Sequence, residues 1–202
     1  MTKTEQELFW EGNFGNEYTD RNNDILINNN VNLFKKILKN ISIKTIFEIG
    51  CNKGLNLKAI NLINNNILLN GLEINEYAYN SLNNSNICNE LYNTSIFNFN
   101  LKNKYDLVFT KGVLIHINPE KLNEIYQKMY DLSNKYILIA EYYSRDIREI
   151  NYRGNENKLF KRDFCGEIMN KFNDLKLKDY GFIYYKDPLY PLDDITWFLL
   201  EK

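Results

Sequence analysis

The sequence predicts an α/β fold: a doubly wound, mostly parallel seven-stranded sheet with an antiparallel last strand. Short apolar runs alternate with amphipathic helical segments, which is the pattern of a parallel sheet covered by helices on both faces. The two final runs are separated only by residues 186–194, whereas a parallel crossover normally needs about a dozen residues. Since no repeat or flexible linker interrupts residues 1–202, we expect a single domain.

The N-terminal part predicts two helices. Residues 4–18 carry aromatic side chains on one side, and Gly12 and Gly15 are expected to interrupt that helix. Residues 24–40 repeat apolar side chains at helical spacing.

The remaining elements follow in alternation. The predicted strands are residues 43–49, 67–72, 89–94, 105–110, 136–140, 180–185 and 195–200. The predicted helices are residues 54–63, 76–83, a segment that begins near Pro119, and residues 164–175. Residues 143–160, rich in Arg and Tyr, are interpreted as a long loop.

The composition and the net charge disfavour several classes of partner. The formal net charge is −1 and no basic patch is visible, which disfavours a nucleic-acid partner. The three cysteines form no C-x-x-C pair, as is typical of free thiols in a reducing compartment. The chain has no signal-peptide pattern and no apolar run of about 18 to 20 residues, so we expect a soluble, cytoplasmic protein without a membrane partner.

The strongest local motif is residues 48–54, between a predicted strand and a predicted helix. Gly50 permits a tight turn against a ligand, and Gly54 lets the helix pack close to the strand. Asn52 tolerates a left-handed backbone. The helix N-terminus favours an anion such as a carboxylate. The alternative interpretation is a tight turn that binds no ligand.

A second motif is Glu73, directly after the second predicted strand. A carboxylate there can accept hydrogen bonds from both ribose hydroxyls, although a solvated strand-end glutamate is the alternative. The first loop lacks G-x-G-x-x-G, and the acidic Glu48 favours a ligand with an ammonium group. S-adenosylmethionine has both a carboxylate and an ammonium, so it fits better than NAD.

Residues 46–54, Glu73, residues 105–117 and the antiparallel pair resemble the class I S-adenosylmethionine-dependent methyltransferases. Six segments are similar to a narrower family, the pseudaminic-acid-biosynthesis-associated methylases. They are Phe9-Trp10-x-Gly12-x-Phe14-Gly15-x-x-Tyr18-x-x-Arg21-Asn22, Lys111-Gly112-Val113-Leu114-Ile115-His116-Ile117, Glu141-Tyr142-Tyr143, Tyr152-Arg153-Gly154, Leu159-Phe160-Lys161-Arg162-Asp163-Phe164 and Asp193-Asp194-Ile195-Thr196-Trp197-Phe198-Leu199-Leu200.

The resemblance implies an enzyme that transfers a methyl group from S-adenosylmethionine to a small polar acceptor, leaving S-adenosylhomocysteine. The implied acceptor is a nonulosonic, amino or nucleotide sugar bearing carboxylate or phosphate, methylated at oxygen or nitrogen. The implied divisions are a lid (1–40), a cofactor half (41–142) and an acceptor loop with the last helix and closing strands (143–202). The alternatives are a protein or tRNA methyltransferase, or a non-catalytic adenosylmethionine-binding subunit of a sugar-assembly complex.

The resemblance also implies cofactor contacts at the strand ends and in the lid. They fall on Tyr18, Arg21, Gly50, Cys51, Asn52, Gly54, Glu73, Ile74, Ser95, Ile96, Lys111 and Gly112. Ser95 would lie beside the adenine, where this fold often has an aspartate. Lys111 and Gly112 would lie under the sulfonium.

Candidate proton carriers follow the fourth and fifth predicted strands. His116 is the only histidine, and its ordinary pKa of about 6.5 suits a base at neutral pH; a packing or capping role is the alternative. Glu141 could orient His116, accept a hydrogen bond from the acceptor hydroxyl or act as the base itself; a hydrogen-bonded carboxylate at the strand end is the alternative. Tyr143 is a further catalytic candidate, and Tyr142 is expected beside the acceptor.

The candidates for binding an anionic group of the acceptor are Arg153 and Arg162. A solvated face, or an ion pair with Asp163 or Glu141, is the alternative for both. No cluster of His and Cys predicts a metal site.

Overall fold

The computed structural model describes residues 2–22, 24–100 and 103–202. Its strands are β1 (Thr45–Ile49), β2 (Leu68–Glu73), β3 (Glu90–Asn93), β4 (Tyr105–Lys111), β5 (Ser133–Glu141), β6 (Arg148–Tyr152), β7 (Asn155–Lys161), β8 (Lys176–Ile183) and β9 (Ile195–Glu201). Its helices are α1 (Glu5–Glu11), α2 (Asn13–Arg21), α3 (Leu26–Leu38), α4 (Leu55–Ile63), α5 (Glu76–Asn83), α6 (Leu122–Leu132) and α7 (Phe164–Lys171). Short 3-10 turns lie at Leu114–His116 and Pro119–Lys121.

Seven strands form one mixed sheet in the order β3-β2-β1-β4-β5-β9-β8. Strands β1 to β5 pair in parallel, and β9 pairs antiparallel with both β5 and β8. The predicted sheet with an antiparallel last strand is therefore confirmed. The short connection before β9 leaves no room for a parallel crossover.

Two apolar layers cover the sheet. Neighbouring residues of β1 face opposite layers: Ile46 packs toward α3 and α4, and Phe47 packs toward α6. Because both faces are covered, the parallel strands are almost continuously apolar rather than alternating. Their carboxyl ends are thereby fixed at one edge of the sheet.

The interruption of the first predicted helix is present at Gly12, which ends α1 and precedes α2. Gly15 lies inside α2 instead of breaking it. A Cβ at Gly15 would lie 1.9 Å from the carbonyl oxygen of Trp10, so the glycine permits close packing of the two helices. Among the described residues, no helix is long and apolar enough to cross a bilayer.

The prediction of a long loop at residues 143–160 is wrong, because β6 and β7 form an antiparallel hairpin there. Arg153 and Gly154 make its turn with φ angles of 51° and 84°. Two successive left-handed residues give the twist that tight hairpins need. Strand β6 is mostly exposed, so the sequence lacks the apolar alternation by which a strand is recognised. The last predicted helix is also shorter, and β8 begins earlier, than predicted.

Candidate functional site

A cleft of about 180 Å³ opens at the carboxyl edge of the parallel strands. Its walls are the segments that follow β1, β2, β3 and β4, together with residues of α1 and α2. Strand order reverses between β1 and β4, and open α/β sheets bind ligands at such a reversal.

The predicted site residues separate into two groups. Those that line the cleft are Tyr18, Gly50, Cys51, Asn52, Glu73, Ile74, Ser95, Ile96, Lys111, Gly112 and His116. Those outside its lining are Arg21, Glu48, Gly54, Glu141, Tyr142, Tyr143, Arg153 and Arg162.

The loop between β1 and α4 depends on left-handed backbone. Gly50, Asn52 and Gly54 have φ angles of 72°, 46° and 77°. A Cβ on Gly50 would lie 2.7 Å from a methyl carbon of Val113, so this turn has no room for a side chain. Gly54 is the N-cap of α4, whose first amides have no intrahelical partner.

Glu73 joins the loops after β1 and β2. One carboxylate oxygen accepts the backbone N–H of Asn52 at 2.7 Å, and the other accepts that of Asn75 at 2.8 Å. Burial raises the pKa of Glu73, although these backbone hydrogen bonds oppose the rise. Each oxygen keeps a second lone pair that can accept a further hydrogen bond.

Glu48 lies behind the cleft wall and is 1% exposed. Its Oε1 accepts the side-chain N–H of Asn56 at 2.6 Å. Burial raises the pKa of Glu48 to about 8. Burial also lowers the pKa of Lys111, against the attraction of Glu48, Asp193 and Glu141.

Helices α1 and α2 form the roof of the cleft, and the loops after β1 and β2 form its floor. The side chains of Asn75 and Asn52 connect the two by hydrogen bonds. The Asn75 side chain donates to the carbonyl oxygen of Trp10 at 3.2 Å and to Oδ1 of Asn16 at 2.8 Å. The Asn52 side chain donates to Oγ1 of Thr19 at 2.9 Å. Helices α1 and α2 are thus fixed to the same loops that shape the floor.

Tyr18 and Arg21, both predicted to close over the cofactor, differ in position. Tyr18 lines the cleft, and burial raises its pKa to about 12. The Arg21 guanidinium lies 5.2 Å from the ring centre of Phe14 and forms an ion pair with Glu17. Arg21 therefore packs on α2 rather than facing the cleft.

His116 is 8% exposed and lines the cleft. Its Nδ1 lies 2.5 Å from the carbonyl oxygen of Lys158. Since a carbonyl can only accept, Nδ1 carries the hydrogen and Nε2 keeps a free lone pair. Burial lowers the pKa of His116 to about 4, so the ring is neutral at pH 7. It can accept a proton or a hydrogen bond at Nε2.

Glu141 accepts hydrogen bonds from the backbone beside His116, whereas Nδ1 of the ring bonds to the carbonyl oxygen of Lys158. Oε1 of Glu141 accepts the backbone N–H groups of Val113 and Leu114, both at 3.0 Å, and burial raises its pKa to about 7. It therefore positions the turn that carries His116. Tyr143 is exposed, with its ring centre 5.9 Å from that of Phe198.

Tyr142 and the two arginines that were predicted to bind an anion lie outside the cleft lining and contact other groups. Arg162 forms an ion pair with Glu167 at 2.7 Å, rather than with Asp163 or Glu141. Arg153 is exposed at the turn of the hairpin. The Nζ of Lys161 lies 5.1 Å from the ring centre of Tyr142.

Sequence reasoning missed several cleft residues, among them Glu7, Trp10, Asn30, Asn56 and Asn75. Thr4 and Glu7 form a capping box, a spacing that is recognisable in the sequence. That pattern predicts where a helix starts. It does not predict that Glu7 reaches the cleft, which depends on how α1 packs in three dimensions.

No protein-family model matches the chain, and no curated protein matches its sequence significantly. Solved structures do match it. A methyltransferase of Leishmania major has a TM-score of 0.73 at 13% identity, over 98% of this chain and 87% of that one. The magnesium protoporphyrin IX methyltransferase of Synechocystis, with bound S-adenosylmethionine, has a TM-score of 0.68 at 13% identity, over 100% of this chain and 99% of that one.

A third match is the plantazolicin methyltransferase in complex with a desmethyl analogue and S-adenosylhomocysteine. Its TM-score is 0.67 at 15% identity, over 97% of this chain and 94% of that one.

This chain has the class I methyltransferase fold. This confirms the fold that was predicted from residues 46–54, Glu73, residues 105–117 and the antiparallel strand pair. The matched methyltransferases are named for chemically different acceptors, a porphyrin and plantazolicin. The same fold therefore serves different acceptors, and the side chains around the cleft determine which acceptor is bound. Within the described residues, no group of three or more His, Cys, Asp or Glu side chains could hold a metal ion.

Proposed function

We propose that the chain is a methyltransferase that uses S-adenosylmethionine to methylate a small polar acceptor at oxygen or nitrogen. The acceptor class that we propose is a nonulosonic, amino or nucleotide sugar. The observation that carries the cofactor proposal is the Glu73 carboxylate, which lines the cleft between two loops that it binds through their amides.

The amino-acid end of the cofactor fits a set of unpartnered oxygens. Among the described residues, Oδ1 of Asn30, Oδ1 of Asn56 and Oε2 of Glu48 are buried without a hydrogen-bond partner. Asn30 and Asn56 line the cleft, and Asn56 contacts Glu48. Buried acceptors without donors are costly, and an ammonium group supplies three donors.

Gly112 gives a second test of fit. Its φ is 67°, and the residue lines the cleft. A Cβ built on it would have no other atom within 4 Å. The missing side chain therefore leaves open space along the backbone. Lys111 and Gly112 would border the sulfonium there, and Glu73 would hold the ribose hydroxyls.

The cofactor supplies an electrophilic methyl group on a positively charged sulfur. Nε2 of His116 would accept the hydrogen bond of the acceptor hydroxyl and take its proton as the new carbon–oxygen bond forms and the methyl–sulfur bond breaks, its electron pair remaining on the sulfur. A base whose pKa is about 4 suffices, because the hydroxyl becomes strongly acidic as its oxygen is alkylated and gains positive charge. Trp10 and Tyr18 would cover the reacting atoms and exclude water.

Support for a sugar acceptor comes from the segments that resemble the nonulosonic-acid pathway methylases. The His116 ring centre lies 4.5 Å from that of Trp10 and 4.9 Å from that of Tyr152, so three of those segments meet at His116, which lines the cleft together with Trp10. The indole N–H of Trp10 is buried without a partner among the described residues. Aromatic faces beside a free donor suit a hydroxylated ring.

Isothermal titration with S-adenosylhomocysteine tests the cofactor, with NAD as the control. We expect a micromolar dissociation constant, about −8 kcal/mol, for S-adenosylhomocysteine and no heat with NAD. Absence of binding would contradict the cofactor assignment.

Mass spectrometry then tests the acceptor. We expect added CH₂ on a sugar nucleotide or nonulosonic acid incubated with S-adenosylmethionine and the protein. Methylation of tRNA or protein alone would reject the sugar class. Cofactor binding without any methylated product would favour a non-catalytic binding subunit.

A further inference from the structure

A carboxylate from the roof enters the cleft beside the segment that follows β3. Oγ of Ser95 lies 2.5 Å from Oε1 of Glu7, a residue of α1. Both residues line the cleft, next to Ile96 and Phe97. Ser95 is 6% exposed, so this contact is largely removed from solvent.

The carboxylate of Glu7 is held in place by the hydrogen bonds that it accepts. Its Oε2 accepts the backbone N–H of Thr4 at 2.8 Å and the Thr4 hydroxyl at 3.0 Å. Burial raises the pKa of Glu7, but the hydrogen bonds from Ser95 and Thr4 outweigh burial, and the pKa lies below its ordinary value. The side chain is therefore an ionised carboxylate at neutral pH. Oε1 accepts only the Ser95 bond among the described residues and can accept another.

The order of the strands indicates which part of an adenosyl ligand would reach Glu7. Strands β1, β2 and β3 are neighbours, about 4.8 Å apart. The ribose is assigned to Glu73 at the end of β2, and the amino-acid part to the loop after β1. The base then extends over the segment after β3, which contains Ser95, Ile96 and Phe97.

We infer that Glu7 is a specificity-determining residue for the base: its Oε1 accepts a hydrogen bond from the exocyclic amine of adenine, and Ser95 positions it. This inference rests on the proposed function. A carboxylate attracts the amine of adenine and repels the carbonyl oxygen that replaces it in hypoxanthine. The acidic group thus comes from the N-terminal helix rather than from the sheet edge, where Ser95 has no carboxylate of its own.

Titration of matched ligands and variants tests the inference. The ligands are S-adenosylhomocysteine and S-inosylhomocysteine, in which oxygen replaces the exocyclic amine. Glu7→Gln is the informative variant, because glutamine also completes a capping box while presenting an N–H₂ group to the base. Glu11→Gln is the control, since Glu11 lies on the same helix and pairs with Lys3 outside the cleft lining.

We expect the wild type to bind S-adenosylhomocysteine at least about tenfold more tightly than S-inosylhomocysteine, as one charge-assisted hydrogen bond would give. Glu7→Gln should lose this preference, mainly by weaker binding of S-adenosylhomocysteine. Ser95→Ala, which frees the carboxylate, should reduce the preference less. Glu11→Gln should keep it.

The outcomes separate the two hypotheses. If Glu7→Gln weakens both ligands equally, or neither, Glu7 only docks α1 and the inference is overturned while the cofactor assignment stands. If the wild type binds neither ligand, the proposed function fails and this inference fails with it. Thermal unfolding of each variant checks that the fold is intact. If Glu7→Gln does not fold, a reduced preference in Ser95→Ala supports the inference and an unchanged preference overturns it.

Discussion

The floor and the roof of the cleft are built on different principles. The floor consists of backbone turns at Gly50 and Gly112, and the buried carboxylate of Glu73 fixes the loops through their amides. The roof consists of aromatic side chains from α1 and α2 that meet His116 and the hairpin. The shape of the floor therefore depends on a few residues with a special backbone conformation or a buried hydrogen-bonded carboxylate, whereas the roof is held by many weaker aromatic contacts.

This difference predicts where substitutions act. A change in the floor should weaken cofactor binding by at least about tenfold, with a loss of about 1–3 kcal/mol in the free energy of unfolding. A change in the aromatic side chains of the roof, or in the His116 ring that they contact, should alter acceptor chemistry or pH behaviour while the cofactor still binds. The following substitutions separate the two regions.

The largest effect is expected for Gly112→Val. Valine adds side-chain atoms to the open cleft, and the positive φ costs about 1–3 kcal/mol of stability. We expect the affinity for S-adenosylhomocysteine to fall at least about 100-fold by titration, which is about 2.7 kcal/mol. Gly154→Val is the matched control, because Gly154 also has a positive φ and open space but lies on the hairpin. Equal loss of affinity in both variants would contradict a cofactor role for Gly112.

Glu73→Gln should weaken S-adenosylhomocysteine binding about 10- to 100-fold, because an amide group turns one acceptor into a donor facing a backbone N–H. Urea unfolding should show a loss of about 1–3 kcal/mol for the same reason. Glu76→Gln, at the exposed start of α5, should change neither quantity. Unchanged affinity in Glu73→Gln would remove Glu73 from the site.

The roof is tested by the pH dependence of stability at His116. Its pKa is about 4 in the folded protein, against about 6.5 in the unfolded chain. The unfolded chain therefore binds the extra proton first, and stability falls as the pH drops from about 6.5 to about 4. We expect wild type to lose about 2 kcal/mol more than His116→Gln between pH 7 and pH 5 in urea unfolding. Parallel curves for the two proteins would show that His116 is not buried and neutral.

The smallest effect on the cofactor is expected for Arg153→Ala. Arg153 lies on the exposed hairpin turn, so the affinity for S-adenosylhomocysteine and the free energy of unfolding should change by less than about 0.5 kcal/mol. If the guanidinium binds an anionic group of the acceptor, the acceptor KM alone should rise. A parallel loss of cofactor affinity would contradict the division between floor and roof.

The floor could be predicted from the sequence, and the roof largely could not. Gly50 directly follows β1 and Glu73 is the last residue of β2, so strand position and residue type suffice to bring them to one sheet edge. The Glu7–Ser95 contact joins the N-terminal lid to the cofactor half across 88 residues of sequence, and the hairpin has few apolar residues to indicate its strands. The partner of Arg162 is set by how α7 packs, which no local pattern specifies.

The most direct test of the account is a crystal structure of the protein with S-adenosylhomocysteine. We predict the ribose hydroxyls at the Glu73 carboxylate, the amino-acid end beside Asn30 and Asn56, and the base beside Ser95. Ligand density elsewhere on the molecule, with this cleft free of it, would contradict the central claim that these loops form an adenosyl-sulfonium site.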